Sequence, residues 1–121
     1  VLQAPLLHGG GPEVCFHLMS ILSVPDERVA LVDMALAAVE TVELLGAMGF
    51  RLLPIDPAER ETQAANVLSL GNGRVVAIAE NVRTNERLAA AGLDVRTFPG
   101  DEICQNGSGG PTCLSRPLLR A

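Results

Sequence analysis

Apolar and polar positions change period several times along the chain, and each change marks an element. Residues 14–24 are dense in apolar side chains and predict a strand. Pro25-Asp26-Glu27-Arg28 is turn chemistry. Residues 29–32 are short, β-branched and apolar, so they predict a second strand. Residues 34–48 place Leu36, Val39, Val42, Leu45 and Met48 at helical spacing, and Gly49 follows as a stop. Residues 50–55 predict another strand. The order then returns: a strand at 66–70, a tight turn at Gly71-Asn72-Gly73, and a strand at 75–79. A helix follows from an N-cap at Thr84 to Ala91, with Glu86 near its positive end, then a Gly92 stop and a strand at 94–98.

The chain therefore carries two copies of strand, hairpin, strand, helix, strand. Their helix ends share letters, LLGAMGF at 44–50 and RLAAAGL at 87–93. Such a unit cannot cover its own apolar faces, so a ring or stack of units is expected. The predicted organisation is a leader at 1–13, a first ββαβ unit at 14–55, a second at 64–98, and a Gly-rich loop with a closing strand at 99–121. Residues 112–119 are expected to begin or complete a further unit.

Composition narrows the function classes. The chain has 121 residues, 48% of them hydrophobic, enough for a core and against disorder. Trp and Tyr are absent, so Leu, Val, Ile and Ala must build that core. The formal charge is −5 and all nine basic residues are arginines without a stripe, which argues against a nucleic-acid partner. No apolar run reaches the ~20 residues of a membrane span. The first residues have neither the basic stretch nor the long apolar core of a signal peptide, and no Met begins the chain, so the expectation is a piece of a longer protein. Three cysteines, Cys15, Cys104 and Cys113, point to reduced thiols in the cytoplasm.

Cys113 is the candidate nucleophile. Most free cysteines are buried and inert, but this one follows a loop in which Gly109 and Gly110 permit close approach of backbone to a ligand and Pro111 stiffens the approach. His17, in CFHLMSILSV, reads either as a satisfied core residue or as the acid/base partner of that thiol; His8 lies in the leader. Zinc binding through Cys15, His17, Cys104 and Cys113 competes, but Cys15 and His17, being two apart, make a poor chelate and there is no Cys-x-x-Cys. Glu102 reads as a local loop anchor.

Residues 64–118 resemble the C-terminal part of the guanidine-modifying enzymes: arginine deiminases, amidinotransferases and dimethylarginine dimethylaminohydrolases. The matching features are Asn66 opening a strand, Asn81 with Arg83-Thr84 before a helix, Gly92, Gly100-Asp101-Glu102 and Gly109-Gly110-x-x-Cys113; FHLMS at 16–20 resembles the family's histidine strand. Deiminases and amidinotransferases usually carry His-x-Asp there, with the Asp on the guanidinium. The dimethylarginine hydrolases typically carry His-Leu-Lys-Ser/Thr, and His17-Leu18-Met19-Ser20 is closer to these, departing at Met19.

The resemblance implies an α/β fold of five ββαβ units around a pseudo-fivefold axis, an αβ-propeller or pentein, of which about half is present. It implies a cysteine-dependent hydrolase acting on the guanidinium carbon of arginine or methylated arginine through a covalent thiouronium. Cys113 would be the nucleophile, His17 the acid and base, and Gly109 and Gly110 would line the substrate. No metal or organic cofactor is implied. The expected partners are a small guanidine substrate and either the missing N-terminal half or a second copy. An amidinotransferase and a non-catalytic scaffold are the alternatives.

Overall fold

Two three-stranded sheets, each with its own helix, repeat the predicted order in a computed structural model that describes residues 17–119. The leader at 1–13, with His8, and Cys15 lie outside the described residues. In the first unit, β1 (Leu22–Asp26) pairs antiparallel with β2 (Val29–Val32), α1 (Val39–Ala47) crosses over, and β3 (Arg51–Pro54) pairs parallel with β2. In the second, β4 (Leu68–Gly71), β5 (Arg74–Ile78), α2 (Val82–Ala90) and β6 (Asp94–Phe98) repeat that order. Both hairpins shift register by one residue just before the turn: Ser23 faces Leu31 but Asp26 faces Val29, and Ser69 faces Val75 but Gly71 faces Arg74.

The helix stops explain themselves. Gly49 and Gly92 take φ of +80° and +96°, where a side chain is strained. Behind each, an amide reaches back: Phe50 N to Leu45 O at 3.0 Å, and Leu93 N to Leu88 O at 3.2 Å. With Gly49 N to Gly46 O and Gly92 N to Ala89 O, both ends are Schellman motifs.

The core is layered by the alternation of β2. Ala30 and Val32 face Leu45 and Val42 of α1, with Leu52 beside them. Leu31, on the opposite face, joins Leu53, Val75, Ala77 and Leu88 of α2. The first sheet is thus covered on both sides, which is why Ala30-Leu31-Val32 is an unbroken apolar run. The leading strands β1 and β4 touch, so the two units meet along them.

Several expectations are corrected. The described part of 14–24 is not one strand: His17 caps a single 3-10 turn, Leu18–Ser20, and β1 starts at Leu22. Pro25 and Asp26 finish β1, leaving Glu27-Arg28 as the turn. The first helix begins at Val39 rather than 34. Asp33 is responsible, because its carbonyl takes the amides of Leu36 and Ala37, its carboxylate takes that of Ala35, and Ala38 is extended. Burial acts to raise the Asp33 pKa, but hydrogen bonds from Arg60 and Ala35 and the Arg60 charge overcome it, and the carboxyl sits below its ordinary value. Thr84 does not cap α2; it is the helix's third residue, and its hydroxyl accepts from Asp56 N at 3.0 Å. The cap comes from Glu59, whose carboxylate accepts Arg83 N at 2.8 Å and Thr84 N at 2.9 Å. Residues 112–119 form turns and irregular chain, with no closing strand among the described residues. No described helix is long and apolar enough to cross a membrane.

Candidate functional site

The Gly-rich loop leaves β6 through Pro99 and a π-helical turn, Asp101–Gln105. Glu80 anchors the start, accepting Gly100 N at 3.1 Å. Gln63 Nε2 and Gly109 N both donate to the Cys104 carbonyl, each at 3.0 Å, pinning the loop to the linker between the units. Glu102 accepts from Asn106 Nδ2 at 3.2 Å, a local contact within the loop, as its sequence context suggests. Cys104 is fully buried; burial pushes its thiol pKa up, with the Glu80 and Cys113 charges adding to the rise. A thiol so placed is a packing group.

Cys113 differs. It is exposed, in a turn closed by Leu114 N donating to Gly110 O at 3.1 Å. Its sulfur accepts from Asn66 Nδ2 at 3.2 Å and lies 3.3 Å from Met19 Sδ, to which the thiol donates. Met19 belongs to the one-turn helix that His17 caps, so the histidine's segment and the thiol's turn are joined by this sulfur–sulfur contact. His17 is exposed, two residues before Met19. Met19 is the position at which the sequence departs from both His-x-Asp and His-Leu-Lys.

Asn66 is the residue the sequence reading missed as a site component. It is only 3% exposed, and its Oδ1 accepts Thr112 N at 3.0 Å. Thr112 Oγ1 adds a bond to Val67 O at 3.3 Å. The signal was a lone amide inside the apolar run Ala64-Ala65-Asn66-Val67-Leu68, since a buried polar group needs fixed partners. Gly110 has a definite neighbour as well: a Cβ there would stand 2.3 Å from Asn66 Cγ. The space its missing side chain leaves is filled by Asn66. At Gly109 a Cβ would meet Cys113 Cβ at 3.3 Å, a tight but lesser contact.

Other letters of the resemblance serve the scaffold. Asn81 bonds Thr62 through both ends of its amide. Arg83 and Arg87 both reach Asp56, at 3.5 and 3.2 Å. Gly100 packs against Ile78 so closely that a Cβ would lie 2.7 Å from its Cγ2. Among the described residues no group of three or more His, Cys, Asp or Glu is arranged to hold a metal ion.

Comparison with known proteins places this geometry. The profile of the arginine deiminase family matches residues 23–120. An arginine deiminase of Mycobacterium tuberculosis is 39% identical over 107 residues, covering 84% of this chain and 26% of its own length. One from Mycobacterium marinum is 49% identical over 70 residues, covering 54% of this chain and 17% of its own length. The chain thus spans about a quarter or less of the curated relatives it matches. Among solved structures, a DDAH mutant from Pseudomonas aeruginosa complexed with citrulline superposes with a TM-score of 0.60 at 28% identity, over 81% of this chain and 35% of that one. ArgZ, a cyanobacterial arginine dihydrolase, superposes with a TM-score of 0.71 at 18% identity over 88% of this chain and 17% of its own, and shares the fold. Both branches of the resemblance, deiminase and dimethylarginine hydrolase, are represented.

Proposed function

The chain belongs to the arginine deiminase family, and from that premise we propose that it carries the thiol half of an active site that hydrolyses the guanidinium group of arginine or a methylated arginine. The observation that carries the reading is the exposed Cys113 thiol, held between Asn66 and the Met19 segment that His17 leads. Support also comes from the 28%-identical DDAH, whose structure holds citrulline, a ureido compound.

The chemistry follows from the groups. A guanidinium carbon is a poor electrophile because its charge is shared over three nitrogens, so a strong nucleophile must meet it in a fixed orientation. The Cys113 sulfur forms a C–S bond to that carbon. The C–N bond breaks, and the amine departs with a proton from His17. His17 then takes a proton from water as the water oxygen bonds to the carbon and the C–S bond breaks, freeing the ureido product and the thiol. Gly109 and Gly110 bring the loop backbone close to the thiol, with Gly110 packed on Asn66, and in this reading it is their backbone that borders the substrate.

The rest of the site comes from outside this chain: a further stretch of polypeptide or a second copy that completes a pseudo-fivefold barrel of ββαβ units. Leu118 and Leu119 are 99% and 89% exposed, adjacent apolar side chains suited to being covered. The low, odd cysteine count supports a reducing, cytoplasmic location.

The test is a product assay with arginine, dimethylarginine and agmatine, run on this chain and on the completed barrel, whether longer polypeptide or assembled copies. Ureido product is expected, falling by roughly a thousandfold or more in Cys113→Ala and in His17→Ala. The released amine identifies the substrate branch. Product carrying an added acceptor amine would instead indicate an amidinotransferase. Absence of product, with Cys113 no more reactive toward a haloacetamidine than Cys104, would favour a binding scaffold.

A further inference from the structure

We propose that Asn66 is the positioning residue of Cys113, holding its sulfur in place for attack. The argument begins with the orientation of the amide. Thr112 N can only donate, so the Asn66 atom 3.0 Å from it must be the oxygen. The opposite end, Nδ2, then faces Cys113 Sγ at 3.2 Å and donates to it. A thiolate accepts such a bond more strongly than a thiol, so the amide donates to the sulfur in the form that attacks.

The amide cannot turn away. Asn66 is buried, and the bare Cα of Gly110 lies where any Cβ would strike its Cγ and Nδ2. One side chain therefore meets three points within residues 110–113: the Gly110 backbone, the Thr112 amide and the Cys113 sulfur. On the opposite side the thiol donates to the neutral thioether of Met19 at 3.3 Å, a weak bond that is given up when the sulfur loses its proton. Among the described residues, the titratable groups connected to this sulfur are His17 on the Met19 segment and the buried Cys104, with Glu80 acting on that thiol. All three are unchanged in the variants below.

This inference rests on the reading of Cys113 as nucleophile, but its test follows the thiol rather than turnover. Peptide-resolved alkylation of Cys113 by iodoacetamide is measured from about pH 5 to about pH 10. Asn66→Asp keeps the shape and the acceptor for Thr112 while replacing the donor by a negative oxygen. It is expected to slow alkylation near neutral pH by about tenfold and to move the profile about one pH unit to the alkaline side. Asn66→Ala moves it in the same direction by less. An Asn66→Asp profile that superposes on the parent's overturns the proposal.

A second measurement needs no change at Asn66. The side-chain amide resonance of Asn66 should titrate with the midpoint of the alkylation profile and lose that step in Cys113→Ala; an amide that stays flat overturns the proposal. The two failures are separable. A shifted thiol profile without ureido product would sink the proposed function and leave Asn66 in its role. Ureido product with an unmoved profile would do the reverse.

Discussion

The two ββαβ units are built alike and used differently. Strand order, the one-residue register shift and the Schellman stop recur in both. Their helices are held by different means. Leu88 of α2 is fully buried between the sheets, and the helix start is capped by Glu59 from the linker. Leu45 of α1 is 8% exposed in a smaller cluster, and its cap position, Ala38, offers no side-chain bond. The lead-ins diverge further: the segment before β1 brings Met19 to the Cys113 sulfur, and the segment before β4 brings Asn66. What repeats is scaffold. The candidate chemistry sits where the two copies depart from each other, along the seam at which β1 and β4 meet.

Three substitution pairs test that contrast. The largest effect is expected in the core. Leu88→Ala should cost about 3–4 kcal/mol and Leu45→Ala about 2 kcal/mol, because the α2 site is enclosed by both sheets and cannot collapse. Urea unfolding midpoints give both numbers, and equal losses would remove the asymmetry between the helices.

Next comes a glycine pair. Gly110→Ala forces a Cβ onto Asn66 and should cost about 2 kcal/mol, whereas Gly46→Ala, with no atom within 4 Å of its Cβ, should gain about 0.5–1 kcal/mol from helix propensity. Thermal unfolding reads both. The larger Gly110→Val should lose folding stability together with reactivity of Cys113. A Gly110→Ala protein as stable as the parent would mean that the loop does not need its close approach to Asn66.

The smallest pair concerns the helix starts. Glu59→Gln should cost α2 about 1 kcal/mol by removing its charged cap, and Ala38→Asp should return about 0.5–1 kcal/mol to α1 by supplying one. Hydrogen exchange in the first turn of each helix distinguishes the two sites. No change at α2 in Glu59→Gln would mean that the linker does not support it.

The repeated unit was legible because its determinants are local. Gly49 and Gly92 stop helices through bonds spanning a few residues, and Asn72-Gly73 turns a hairpin through its own positive φ values. Boundaries were less legible where a side chain intervened. Asp33 takes the amides that a helix from 34 would use, and Glu59 supplies from the linker the cap expected of Thr84. Cys113, His17 and the glycine loop could be singled out by residue type and by resemblance. Their surroundings could not.

The amino-acid sequence by itself determined the two copies of the unit, their glycine stops, the short apolar strands, and the letters of the arginine deiminase family. Tertiary structure alone decided which of those letters face one another. Asn66 meets Cys113 across 47 residues and Met19 meets it across 94, separations at which no periodicity operates. Packing sets these contacts. The two sheets seat their leading strands together, the loop is drawn back by Gln63 and Glu80, and a glycine without a side chain leaves room for one buried amide beside the sulfur.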